Sequence, residues 1–242
     1  PGPPPAGAHA DSDDDARAIA CLRRAVKANP QNLQAMLALG VSYTNELDQT
    51  RALEHLQHWL ESHPDFVSLA SESTKSPPAP TPFHLQQQVT NLFEAAVVVS
   101  PSNADLHGVL GVLHNLSRDY PKAVAAFERA LQLRPEDYSL WNKLGATQAN
   151  AMSCEAALPC YARALELKPD YVRALSNLGI SYGNMSDHEE AAQCYLKALS
   201  LNKGATHIWS YLTMTFTSMK RPDLVDKALV ADVGAFRDEF DF

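Results

Sequence analysis

Basic residues are the minority charge: 20 lysines and arginines stand against 28 aspartates and glutamates, a formal net charge of −8. No basic run and no basic–aromatic motif offsets that balance, which excludes a nucleic-acid surface. Long apolar runs are also missing. The longest, "AAVVV" at 95–99, is far short of the about twenty residues a spanning helix needs. The amino-terminal "PGPPPAGAHADSDDD" lacks the apolar centre of a signal peptide and reads as a disordered flank. Cysteine is scarce. Cys21, Cys154, Cys160 and Cys194 form no CxxC pair and no disulfide framework, and free buried thiols suit a reducing compartment. None has a basic neighbour in sequence, so they read as small buried hydrophobes.

Signatures of enzyme chemistry are lacking too. There is no glycine-rich phosphate loop and no nucleophile elbow. His55 and His58 lie three apart with His63 beyond, but they flank the core positions Leu56 and Trp59 and have no carboxylate partner at ligand spacing. They read as helix histidines in solvent. The acidic run "DSDDD" at 11–15 reads as a solvated helix start, well placed for the helix dipole. "NLS" at 115–117 and "NMS" at 184–186 match a glycosylation sequon short enough to arise by chance. No cofactor, metal or bond-making step is expected.

What is present is a period. Gly111, Gly145 and Gly179 are spaced by 34, as are Ala123, Ala157 and Ala191; Phe127, Tyr161 and Tyr195; Ala130, Ala164 and Ala198; and Pro101, Pro135 and Pro169. Each unit has Leu-Gly at positions 7–8, Ala at 20, an aromatic at 24, Ala at 27 and Pro at 32. Small residues let two helices approach closely, the aromatic is expected to fill the gap between units, and the proline ends the second helix by disfavouring the helical region before it. This pattern resembles the tetratricopeptide repeat (TPR), a helix-turn-helix unit. Full units are placed at 104–137, 138–171 and 172–205, and an earlier one at 33–66 carries Leu39-Gly40, Ala52, Leu56, Trp59 and Pro64 in register. Ala18, Leu22, Ala25 and Pro30 form the second half of a unit whose first helix would lie upstream. Prolines within a Ser, Thr and Ala run at 68–88 break the array, and "QQVTNLFEAAVVVSP" resumes it as a second helix.

The expected architecture is therefore an all-α superhelical solenoid. It has a flank at 1–15, an amino-terminal arm at 16–67, a degenerate hinge repeat at 68–103, a carboxy-terminal arm at 104–205 and a helical cap at 206–242. The hinge would let the two arms close on a ligand, and the cap would present a polar outer face.

Stacked helix pairs of this kind make an extended concave binding surface. The asparagines point there. Asn142, Ala146 and Asn150 span about 80° of one helical wheel, and Arg173, Asn177 and Asn184 about 40° of the next, at ~100° per residue. Asn45, Asn150 and Asn184 share position 13 of their units, and Asn115 lies at position 12. Asparagine is roughly 0.6 kcal/mol worse than alanine inside a helix, so repeated use of it without a structural return marks function. Each amide offers two donors and an acceptor, which suits the backbone of an extended peptide. Arg173 offers a fork for a carboxylate.

"VSYTNE" (41–46), "LWNKLGATQAN" (140–150) and "VRALSNLGISYGN" (172–184), with "NLSRDYPKAVAAFERAL" (115–131) and the broken unit before it, resemble the carboxy-terminal TPR domain of the Pex5 family. These are cytosolic receptors for the type-1 peroxisomal targeting signal (PTS1), a C-terminal tripeptide of Ser-Lys-Leu type. The resemblance implies that Asn45, Asn142, Asn150 and Arg173 engage the carboxylate end and its backbone, and that Asn177 and Asn184 hold the first residue of the tripeptide. It also implies that Val41, Thr44, Lys143 and Ala146 form the wall for the terminal leucine, that Asn115 is a further groove position, and that Glu46 favours a basic middle residue. By the same resemblance the partners are PTS1 cargo and, through an amino-terminal half beyond this sequence, peroxisomal docking proteins. The location is then the cytoplasm, cycling to a peroxisome or glycosome. "LNKGATHIW" is shorter than the family's loop before its last helices. Two other binding readings compete: a TPR co-chaperone clamping the acidic C-terminus of a chaperone, which would rely on more groove cations than Lys143 and Arg173, and a general TPR scaffold.

Overall fold

The computed structural model describes residues 15–69 and 81–242. Residues 1–14 of the flank and 70–80 of the proposed hinge repeat lie outside the described residues. Among those described, the secondary structure is helical throughout. The helices are α1 (Asp15–Ala28), α2 (Leu33–Asn45), α3 (Gln49–Ser62), α4 (Pro82–Val99), α5 (Ala104–Leu116), α6 (Tyr120–Leu133), α7 (Tyr138–Asn150), α8 (Cys154–Leu167), α9 (Val172–Met185), α10 (His188–Leu201), α11 (His207–Ser218) and α12 (Pro222–Leu229), followed by a 3-10 turn at Val233–Phe236. First helices start at 104, 138 and 172 and second helices at 120, 154 and 188, so both keep the 34-residue period.

Local chemistry sets the starts. Asn103 caps α5 by accepting from the amides of Asp105 and Leu106 at 3.0 and 3.4 Å. Asp137 caps α7 through Ser139 and Leu140 at 3.0 and 3.1 Å. Each cap satisfies amides that the helix leaves unpaired. The turn between the two helices of a repeat is one device used five times. Leu47, Arg118, Met152, Ser186 and Lys220 sit at φ between 58° and 71°, the left-handed region. In each case the amide of the following residue bonds back to a carbonyl five residues earlier, as from Asp119 to His114 and from Ser153 to Gln148 at 2.9 Å. This doubles the chain back tightly enough for the two helices to pack. The recurrence at Lys220 shows that α11 and α12 repeat the same turn.

The glycine column is explained by packing. A Cβ on Gly111 would lie 2.6 Å from the Phe127 ring, on Gly145 2.8 Å from Tyr161, and on Gly179 2.6 Å from Tyr195. The position-24 ring thus rests on the glycine of its own unit, where the sequence reading placed it in the gap between units. The reason is geometric: without Cβ the first helix offers a flat backbone patch facing the second helix. In the first of these repeats the ring, Phe127, is 1% exposed.

The described residues fall into two compact units, dividing after Pro135. The first unit has a continuous core running from Met36 on α2 through Leu53, Leu56 and Trp59 on α3 and Phe93 on α4 to Leu106 and Leu110 on α5. Helix α4 starts at Pro82, five residues before the "QQVTNLF" start read from the sequence, and so takes in 82–88 of the supposed linker. Proline is tolerated at the first turn of a helix, Thr81 accepts from the His84 amide at 3.3 Å, and Gln86 is buried. Its Nε2 donates to the Leu113 carbonyl at 3.2 Å, and its Oε1 accepts from Gln49. A side chain that joins α3, α4 and α5 gives this polar stretch its reason to be helical. In the second unit, Leu175, Tyr195, Leu199, Ile208, Leu212 and Phe216 form the main core, and Phe236 stacks on Phe216 with centroids 5.4 Å apart. Among the described residues no helix is long and apolar enough to cross a membrane.

Candidate functional site

In the second unit, α7 carries Asn142, Lys143, Ala146 and Asn150, and α9 carries Arg173, Asn177 and Asn184. Both are first helices of consecutive repeats, so the same side of each unit presents them. The centre of the arrangement is an amide pair. Asn177 Nδ2 donates to Asn142 Oδ1 at 3.0 Å, and Asn142 Nδ2 reaches the Tyr171 hydroxyl at 3.5 Å. Asn142 is only 3% exposed and Tyr171 4%. The sequence places Asn142 on the side of α7 away from the apolar face, yet it is enclosed. That side is where α9 and the residue before it pack, and the polar contacts they provide let an amide be buried without an unmet hydrogen bond.

Around this pair the side chains open progressively. Arg173, Asn177, Lys143 and Ala146 are half-buried, while Asn150 and Asn184 are exposed near the carboxy ends of their helices. Lys143 Nζ donates to the Ser139 hydroxyl one turn earlier, and Thr147 Oγ1 donates to the Lys143 carbonyl at 2.9 Å. Asn184 Nδ2 lies 4.0 Å from Cys154 Sγ, a weak contact. Two cations, Lys143 and Arg173, thus flank a fixed amide pair, with further amides at the ends of the same two helices. Such a surface can take an oxyanion at the cations and backbone polar groups at the amides. Tyr171 is the participant that the periodic pattern did not single out. It packs edge-on against Tyr138 at 5.0 Å, over which Lys168 Nζ sits at 4.8 Å; a tyrosine at the start of a first helix, as first residue of α7 at 138 and as N-cap of α9 at 171, was the available signal.

The candidates of the first unit are placed separately. Val41 and Thr44 are half-buried on α2, and Thr44 Oγ1 donates to the Val41 carbonyl at 2.6 Å. Asn45 is exposed, and its Nδ2 donates to Asp15 Oδ1 at 3.1 Å. Asp15 is buried at 7% exposure, which corrects the reading of that residue as part of a solvated acidic run: the end of α2 covers it and Asn45 supplies a donor. Asp11 to Asp14 lie outside the described residues. Glu46 is the exposed C-cap of α2, and Asn115 is half-buried near the end of α5.

The histidines also differ from their sequence reading. His55 is half-buried and stacks on Tyr43 with centroids 5.3 Å apart, and burial holds its pKa below the ordinary value. His63 stacks on Phe66 at 4.5 Å and lies 5.1 Å from Trp59. Apolar contact on ring faces explains both. Among the described residues no group of three or more His, Cys, Asp or Glu is arranged to hold a metal ion. The Cys194 thiol is pushed up to about 12 by burial, the state of an inert core thiol.

Comparison with known proteins follows the same lines. Family models described as Tetratricopeptide repeat match residues 172–204 and, separately, 8–65 and 91–138; together they take in more than half of the chain. The Arabidopsis thaliana "Peroxisome biogenesis protein 5" is 44% identical over 118 residues, 49% of this chain and 15% of that protein. The Yarrowia lipolytica "Peroxisomal targeting signal receptor" is 39% identical over 120 residues, 48% of this chain and 20% of the relative. The mouse "PEX5-related protein" is 35% identical over 129 residues, 48% and 22%. The chain therefore spans only about a fifth of the length of these relatives. The solved structure of MamA overlays with a TM-score of 0.44 at 20% identity, covering 84% of this chain and 97% of its own. With the period, the repeated turn and these matches in hand, the chain belongs to the tetratricopeptide-repeat family, and peroxisomal targeting signal receptors are among the relatives that it resembles.

Proposed function

We propose that this chain is the cargo-binding part of a peroxisomal or glycosomal import receptor, reading the C-terminal PTS1 tripeptide of matrix proteins by binding alone. The observation that carries this reading is the enclosed Asn142–Asn177 pair flanked by Lys143 and Arg173, on a chain whose relatives are named for targeting-signal reception. An extended peptide end has a free carboxylate and unpaired backbone groups. The cations suit the first and fixed amides the second, because amides already held in place lose little entropy on binding. Arg173 takes the carboxylate in this reading with the Lys143 charge beside it, Asn142 and Asn150 its adjoining backbone, Asn177 and Asn184 the small first residue, and the Lys143 stem with Ala146 the wall for the terminal side chain. For Val41, Thr44, Asn45 and Asn115 the support is the family resemblance, and each is tested by itself. The receptor works in the cytoplasm and cycles to the organelle, where docking proteins engage sequence outside this chain.

The test is fluorescence anisotropy with a labelled peptide ending in Ser-Lys-Leu, as free acid and as C-terminal amide. The acid binds, and the amide binds at least about tenfold more weakly, since a charge-assisted contact contributes about 1.5–3 kcal/mol. Arg173→Ala loses about tenfold or more for the acid with helicity unchanged. Equal binding of acid and amide, or no effect of Arg173→Ala and Asn150→Ala, rejects the reading. Preference for an acidic chaperone-type tail would replace it with the co-chaperone function.

A further inference from the structure

The first unit holds a cavity of about 740 Å³ formed by α1, α2 and α3. Its lining is unlike the rest of this acidic chain. Arg23, Arg24 and Lys27 of α1 and Arg51 of α3 line it, over a floor that includes Leu39 and Tyr43. Leu39 is 1% exposed and Tyr43 5%, so the floor is firm and partly aromatic. Arg51 lies over the Tyr43 ring, its guanidinium carbon 5.8 Å from the centroid, and His55 stacks on the same ring with centroids 5.3 Å apart. Among the described residues, Glu54 also lines the cavity, and Asp48 pairs with the exposed Arg51 at 3.3 Å. Arg23, Arg24 and Lys27 form no ion pair with another described residue. Like charges at positions i and i+4, as in Arg23 and Lys27, weaken a helix by a few tenths of a kcal/mol, and here they face one cavity. Burial holds the His55 imidazole below its ordinary pKa, Glu54 opposes this, and His58, Arg23 and Arg51 add smaller effects in the lowering direction.

From this geometry we infer a second binding site, independent of the proposed signal-reading site: the α1–α3 cavity docks an acidic peptide segment of a partner protein with an aromatic side chain among its carboxylates. Four cations spread along two helices suit several carboxylates in a row better than one compact phosphate. The Leu39 and Tyr43 floor suits the aromatic group, and guanidinium forks donate two parallel hydrogen bonds to a carboxylate. A concave pocket on an acidic protein is a poor match for a flat anionic lipid surface.

The probe is a fluorescein-labelled Asp-Glu-Phe-Asp-Glu peptide, blocked at the amino end and amidated at the carboxy end so that it offers no terminal carboxylate. It is titrated into the full 242-residue chain by anisotropy. Saturable binding is expected, weakening about tenfold between about 0.05 and 0.3 M salt. It falls at least about tenfold in Arg23→Glu/Lys27→Glu, whose positions are exposed and leave the fold intact, and similarly in Arg51→Gln, while Arg173→Ala leaves it unchanged. Far-UV circular dichroism confirms folding, and Arg24→Glu serves as the second variant if Arg51→Gln unfolds. No binding, binding equal in wild type and Arg23→Glu/Lys27→Glu, full competition by inorganic phosphate, or binding to phosphatidylserine vesicles in place of the peptide each overturns the proposal.

Discussion

At Asn142 a helix accepts a poor helix former and then encloses it. The amide meets one donor, from Asn177 at 3.0 Å, and offers its own proton to Tyr171 at 3.5 Å. Removal of a buried partner costs more than the bond itself contributes, because the group left behind is stranded. Asn142→Ala is therefore expected to lower unfolding free energy by about 1–3 kcal/mol, measured by urea unfolding. Asn177→Ala costs less, since Asn177 is half-buried and lies closer to water. If the two variants lost equal stability, Asn142 would not be the structural centre of the pair. The asparagines were legible as a set because each breaks local propensity in the same register. Their division of labour was not legible: nothing in the wheel positions separates Asn142, enclosed beside Tyr171, from Asn150, exposed as the last residue of α7.

A repeat is held by the fit of a second-helix ring onto a first-helix glycine, and the fit allows no added carbon. A Cβ at Gly111 or Gly179 would come within 2.6 Å of a ring atom. Alanine there forces the ring off its rotamer or the helices apart, at about 1–3 kcal/mol, although alanine is by itself the better helix former by about 1 kcal/mol. Gly111→Ala, Gly145→Ala and Gly179→Ala should each lower the thermal midpoint, read by circular dichroism, and Gly111→Ala combined with Phe127→Leu should recover part of the loss. Gly183 serves as the control: a Cβ there would meet its nearest atom only at 4.0 Å, so Gly183→Ala should not destabilise. The Leu-Gly and aromatic columns were legible in the sequence as 34-residue columns, but their contact was not: spacing along one chain does not tell a ring between units from a ring on the glycine of its own unit. The start of α4 was hidden, since Pro82 and the glutamines read as a breaker until Gln86 is seen buried against α5.

Taken over the whole chain, pH acts through histidines that folding has enclosed. His55 and His114 both sit in the first unit with pKa values held below the ordinary one, burial being the leading cause in each; His114 has Glu94 at 3.8 Å as a partial offset. A lowered folded pKa means that the unfolded chain binds more protons just below its own value of about 6.5. Stability is thus full above that pH and falls as the pH drops toward the folded values. Urea midpoints measured from about pH 7.5 down to 5.5 should decline, and His55→Gln/His114→Gln should flatten that decline; an unchanged slope would place the titration elsewhere. By itself the sequence determined the helical period, the paired helices, the small-residue columns and the family, because these are repeated and each repeat reports the same local geometry. Only the tertiary structure decided which asparagine is enclosed, where α4 begins, that Asp15 is buried and that four cations share one cavity. Those outcomes depend on which side chains from distant turns arrive at the same place, and a one-dimensional pattern carries no record of that.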